Sequence, residues 1–260
     1  MNVLFVLALV LAASVFMVCG TQGFYTILGI FANIGVFFLL VFGFHQRWPI
    51  LWLTVAGFLV ISLITLFFVN GWNLQMQAAF ISVLLFLLVF LCVVPLTARF
   101  SIQGFTAVEL DELSHLDTTI PIDFGTLSQS LLLISLSGAV LDASVAVSSG
   151  TFEVFRLNPD LSFQALVRSS LTIAKKILAS TVITLLFAFI GSTLALVIWF
   201  IDLEHTFQQI INEKAFVMEY LSAILTTAAA VLVLPITSFI SSFVFTRRGK
   251  ATRVGEKVTT

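Results

Sequence analysis

The chain has 260 residues, of which 60% are hydrophobic and only 10% are charged, and its formal net charge is −1. A soluble domain carries about 25% charged residues, whereas Arg47 is the only Lys, Arg, Asp or Glu among the first 98 residues here. A water-soluble fold cannot bury so much apolar surface, so the composition predicts a protein whose helices cross the lipid bilayer many times. No nucleic-acid partner is expected, because the sequence has no basic groove with interleaved aromatic residues.

The hydropathy pattern predicts an all-α membrane helix bundle with about seven transmembrane helices, since each span needs roughly 20 apolar residues. The first stretch has no positively charged start and no clear cleavage site, and another stretch follows within five residues. We therefore expect a retained helix there rather than a signal peptide. The seven stretches cover residues 3–20, 24–44, 48–69, 76–98, 127–150, 177–201 and 216–245.

The Lys and Arg residues predict the orientation of the chain, because they concentrate in cytoplasmic loops. With seven spans, the loop after the fifth stretch and the C-terminal tail lie on one side, which then carries nine basic residues against three. This predicts a multi-pass protein of the cell membrane with its N-terminus outside and its C-terminus in the cytoplasm. The nine are Arg156, Arg168, Lys175, Lys176, Arg247, Arg248, Lys250, Arg253 and Lys257.

The chain changes character near residue 99, which divides it into four predicted parts. Residues 1–98 form a four-helix apolar membrane segment, and residues 127–246 form a three-helix core with small and polar faces. Residues 99–126 form an acidic outer loop with a short interfacial helix, and residues 247–260 form a basic cytoplasmic tail. The acidic loop is either a solvated face or a surface that attracts cations or docks a partner.

Asp142 is the only carboxylate well inside an apolar stretch. An ionised side chain near a bilayer centre costs at least ~2.5–3.5 kcal/mol, so such residues usually have a partner, a polar cavity or a proton. Steps of three and four residues place Asp142 on one helical face with other small or polar residues. We take this face as a candidate proton or cation site, formed by Asp142, Ser135, Gly138, Ser149 and Glu153.

The last two stretches carry similar faces, and we expect Ser180, Thr184 and Thr226 to line the same polar path. Small residues and hydroxyls also let helices pack closely, so tight packing of the three helices is expected in either case. Pro235 interrupts the last stretch and predicts a kink, which is either purely structural or a hinge.

No enzyme, metal site or cofactor is expected. An aspartyl protease needs two carboxylates in one site, and no second Asp lies in the middle of a span. The three histidines are isolated, and no Gly-rich nucleotide loop occurs.

The segment from Gly138 through Asp142 to Ser149 resembles the YibE/F-like family of bacterial multi-pass membrane proteins. The resemblance continues through Glu153, Asn158-Pro159 and a Thr-rich helix, and reaches Leu234-Pro235. It covers roughly residues 100–246 and is closest to the shorter, YibF-like members. It implies a bacterial cell-membrane protein that forms a hetero-oligomer with a longer YibE-like protein.

Two segments depart from the family pattern. Ala174-Lys175-Lys176 stands where the family tends to have Gly-Arg-Asp, and Ile183-Thr184 stands where it tends to have Asn-Thr. The second change removes a polar group from the expected lining. The order of motifs is also similar, more distantly, to the membrane core of SecD/SecF and related RND-type transporters.

Two functions therefore stay open. The chain is either a permease or transport-type subunit with a proton or cation site at Asp142, or a non-transporting membrane scaffold in which Asp142 is structural.

Overall fold

The computed structural model describes residues 3–46, 48–97 and 124–258, and every regular element in these ranges is a helix. This confirms the predicted all-α membrane bundle. In chain order the helices are α1 (Val3–Cys19), α2 (Thr21–His45), α3 (Ile50–Leu63, extended by a π-helical segment Ile64–Val69), α4 (Leu74–Thr97), α5 (Phe124–Leu157), α6 (Phe163–Asp202), α7 (Phe207–Asn212) and α8 (Lys214–Val258).

Six of the described helices are long and apolar enough to cross a membrane, in agreement with the predicted bundle of about seven. The first predicted stretch corresponds to α1, whose 17 described residues are also apolar but reach only ~26 Å, compared with about 30 Å for the hydrocarbon layer. The predicted surface helix of the acidic loop lies in residues 99–123, outside the described part of the chain.

Local signals in the sequence account for the helix boundaries. Gly20 has a φ of 56°, which lets the chain reverse between α1 and α2. Ser162 caps α6, since its hydroxyl oxygen accepts a hydrogen bond from the amide of Ala165 at 3.3 Å. Thr206 and Gln209 form a capping box that starts the short α7. Pro235 lies inside α8, which continues through it.

The main apolar core lies where α3 and α4 pack against α5 and α8. The two predicted membrane segments thus form one bundle, because α5 buries one side against helices from the first half of the chain. Fully buried residues of this core include Leu66, Val83, Leu133, Leu136 and Val233. In contrast, only 6% of the most apolar stretch of α6 is buried, compared with 56% in α5.

A second, smaller core joins the start of α4, the end of α5, the start of α6 and the far part of α8. Its buried members are Ala78, Leu166 and Phe245, and Phe245 makes an edge contact with Phe152 at 5.4 Å between ring centroids. The basic loop after α5 and the basic part of α8 therefore lie at the same end of the bundle. We call this the basic end; the opposite end, with Asp202, Glu204 and Glu213, is the acidic end.

Candidate functional site

Asp142 lies on the surface of the bundle, two turns of α5 beyond Ser135. Its side chain is exposed, as are Ser135 and Gly138 on the same helical face. A Cβ atom built on Gly138 would meet no atom within 4 Å. Among the described residues no basic side chain forms an ion pair with Asp142. Asp142, Ser135 and Gly138 therefore share one exposed face of α5, which the other described helices do not enclose.

The packing of α5 on α6 gives the height of Asp142 in the bundle. The two helices run in opposite directions and meet near the basic end, where Ser170 lies 2.6 Å from Thr151, measured between hydroxyl oxygens. At 1.5 Å per residue, this register places Asp142 level with about Ser180. Lys176 lies about 6 Å nearer the basic end. Asp142 thus lies closer to the basic end of α6 than to its acidic end.

A cavity of about 350 Å³ lies nearer the acidic end, between α5, α6 and α8. Ser135 forms its wall on α5, and its hydroxyl oxygen is 3.4 Å from those of both Thr226 and Ser222 on α8. We call these three residues the hydroxyl cluster. The remaining lining residues are Leu185, Ala188, Phe189, Ser192, Glu219 and Ala223.

The structure brings together only part of the predicted site. Ser135 and Thr226 are neighbours, as expected from the polar faces of their helices. Ser180 and Thr184 are exposed on α6 and are not among the lining residues of the cavity. Glu153 is exposed beyond the membrane part of α5, and its carboxylate forms an ion pair with the guanidinium of Arg156 at 2.6 Å.

Glu219 is the residue that the sequence analysis did not select. It precedes Ser222 by three residues and Thr226 by seven, which is the spacing of one helical face. Glu219 begins the small and polar face of the last predicted span, but it was not among the residues expected to line the polar path. In the folded chain Glu219 is exposed, five residues after the start of α8 at Lys214, and it is one of the residues that line the cavity.

Other polar residues of α5 have a packing role. Ser144, Ser148 and Thr151 are fully buried on the side opposite Asp142. Ser148 donates a hydrogen bond to the Gln75 carbonyl of α4 at 2.6 Å. Gly150 permits close approach of α6, because a Cβ there would lie 3.1 Å from Ile173. The small and polar residues of α5 therefore serve both to pack the helix and to form its exposed face.

These features define a polytopic helical membrane protein with a cavity that contains the hydroxyl cluster, and with a surface carboxylate that has no ion-pair partner among the described residues. The chain belongs to the YibE/F-like protein family, whose family model matches residues 7–247. The match extends over most of the first half of the chain as well as residues 100–246, which carry the sequence resemblance. No curated protein sequence matches the chain, and no solved structure matches it either.

Proposed function

We propose that the chain is a transport-type membrane subunit in which Asp142 binds a proton or another cation. The observation that carries this proposal is the exposed, unpaired carboxylate in the membrane part of α5. Leaving this group ionised in hydrocarbon costs free energy, which is ~2.5–3.5 kcal/mol on insertion scales at a bilayer centre and decreases toward the interface. A proton or a bound cation removes that cost, and release of the same ion restores the charge. A group of this kind is suited to carry an ion through the membrane.

A second function rests on the same observation. Asp142 would instead pair with a basic residue of a partner, and the chain would be a non-transporting scaffold. The family resemblance suggests a YibE-like protein as that partner, and the sparsely buried surface of α6 offers room for one.

The substitution Asp142→Asn separates the two functions, because it removes the charge and keeps the shape. The chain would be co-expressed with its YibE-like neighbour, purified as a complex, and reconstituted in liposomes that contain a pH-sensitive dye. Transport predicts that Asp142→Asn abolishes ion-driven flux while the complex stays intact. A scaffold role predicts loss of the complex itself. Normal flux in an intact complex would contradict both functions.

Glu153→Gln is the matched control. Glu153 lies three turns further along the same helix, but it is paired with Arg156 and lies beyond the membrane part. We expect this variant to keep both the complex and the flux. A hydrophobic carbodiimide, which reaches carboxyl groups from the lipid, should label Asp142 in preference to Glu153.

We also propose that the basic end faces the bacterial cytoplasm, following the distribution of Lys and Arg. Reporter fusions after residue 248 test this orientation. A reporter that is active only in the cytoplasm should function there, and one that requires export should not.

A further inference from the structure

The cavity between α5, α6 and α8 has the ligands and the size for a hydrated cation. Its oxygen donors are one carboxylate, from Glu219, and four hydroxyls, from Ser192 and the hydroxyl cluster. Carboxylate and hydroxyl oxygens are the ligands that hard cations prefer. No basic residue is among the lining residues, so the cavity carries a negative formal charge.

The volume argues against a site for a bare ion. A cavity of about 350 Å³ has space for on the order of ten water molecules at about 30 Å³ each. Each hydroxyl can both donate and accept hydrogen bonds, so the hydroxyl cluster can hold water as well as coordinate an ion.

A neighbouring groove provides a contrast on the same two helices. It lies between α6 and α8, and most of its lining is apolar, including Val182, Leu186, Ile224 and Val231. Ile224 is only two residues from Ser222, at nearly the same depth, but it faces this apolar groove. Acyl chains fit the groove, whereas the cavity with Glu219 favours water and ions.

We propose that the cavity is a water-filled vestibule for small inorganic cations, in which Glu219 is the cation-binding residue. Glu219 lies closest to the acidic end, and the hydroxyls of Ser222 and Thr226 lie about one and two turns deeper along α8. The vestibule thus admits cations from the acidic end as far as Ser135. Asp142 follows on the same face of α5, about 10 Å further. Only this last step rests on the proposed function; the vestibule stands without it.

Cysteine accessibility tests the vestibule directly. Cys19 and Cys92 are exposed, so both are first replaced by Ala. Ser222→Cys is then introduced in the full chain, with Ile224→Cys as the matched control, and the protein is placed in lipid nanodiscs. The rates of reaction with a cationic and an anionic methanethiosulfonate reagent are measured. We expect Cys at position 222 to react at least tenfold faster with the cationic reagent than Cys at position 224 does.

Glu219→Gln tests the role of the carboxylate. Residues 219 and 222 are neighbours on the helix, about 6 Å apart. Even with the dielectric constant of water, one charge at that distance changes each rate about threefold, in opposite directions for the two reagents. The ratio of cationic to anionic rates should therefore fall about tenfold in the Glu219→Gln variant.

Equal reactivity at positions 222 and 224 would overturn the vestibule, and an unchanged ratio in Glu219→Gln would overturn the role of the carboxylate. Ser192→Cys, on the α6 side of the cavity, gives a second measurement if Ser222→Cys does not fold. Flux loss in Asp142→Asn alongside an unreactive position 222 would refute the vestibule and leave the proposed function intact. A reactive Cys at position 222 together with normal flux in Asp142→Asn would refute the proposed function and leave the vestibule intact.

Discussion

The hydrogen bond between Thr151 and Ser170 joins α5 to α6 near the basic end. Both residues are fully buried, and their hydroxyl oxygens are 2.6 Å apart. Thr151 also donates its only hydroxyl proton to the Val147 carbonyl at 2.7 Å. Ser170 must therefore be the donor in the bond between the helices, and Thr151 the acceptor.

This direction predicts that the two single substitutions have unequal effects. Thr151→Val keeps the shape but leaves the buried Ser170 hydroxyl without an acceptor, whereas Ser170→Ala leaves Thr151 still bonded to Val147. Interhelical hydrogen bonds in membranes contribute ~0.6 kcal/mol on average and ~1.7 at most, and an unsatisfied buried hydroxyl adds about 1 kcal/mol. We expect Thr151→Val to lower the free energy of unfolding by ~1.5 kcal/mol and Ser170→Ala by ~0.5 kcal/mol.

Reversible unfolding in mixed detergent micelles measures these values for the wild type, both single variants and the double variant. The double variant should lose only ~1 kcal/mol, so the coupling energy is also ~1 kcal/mol. Ser192→Ala is the control, because this exposed hydroxyl bonds only within its own helix, to the Phe189 carbonyl. Equal losses in the two single variants, or losses that simply add, would refute the assigned direction of the bond.

Two further predictions concern packing. Leu133→Ala should lower the free energy of unfolding by ~2 kcal/mol, because Leu133 is fully buried in the main core and its removal leaves a cavity. Leu131 is 49% exposed, so Leu131→Ala should change the free energy of unfolding by less than ~0.5 kcal/mol. Similar losses in the two variants would contradict the packing of α5. Gly23→Ala should lower the melting temperature in detergent, because its Cβ would lie 2.9 Å from the Val15 carbonyl oxygen of α1, whereas Gly35→Ala meets open space and should leave stability equal or slightly higher.

The sequence was sufficient to predict the helices and the composition of their faces. Steps of three and four residues placed Ser135, Gly138 and Asp142 on one face, and the structure shows them together on the surface of α5. Local chemistry also accounts for the start of α6, where Ser162 forms the cap. These features depend on residues close in the chain, so a single sequence contains the information.

Which side of each helix packs against the protein and which faces lipid could not be predicted. Leu131 and Leu133 show why. Both are leucines of the same helix, but one is 49% exposed and the other fully buried. Lipid and protein interior are equally apolar, so a helix in a membrane has no hydrophobic face that marks its packed side. For the same reason the sequence did not reveal that Asp142 lies outside the bundle, or that Glu219 lines a cavity.

The ends of the long helices were also beyond prediction. Hydropathy gave residues 127–150 for the fifth span, whereas α5 runs from Phe124 to Leu157. The pattern marks the part that lies in hydrocarbon, and the helix continues past it because its last turns pack against α6 and α8. The length of α1 belongs to the same problem, since its composition is apolar enough but its 17 described residues make it shorter than the six long apolar helices.

The small core around Leu166 and Phe245 has a consequence for membranes of different thickness. Its residue Leu166 lies about 15 Å beyond Lys176 along α6, and the core ties four helices together at the basic end. Hydrophobic mismatch must therefore be accommodated mainly at the acidic end. A thinner bilayer would bring Glu219 closer to bulk water and leave the depth of Asp142 nearly unchanged, so bilayer thickness would regulate entry to the cavity without altering the carboxylate beyond it.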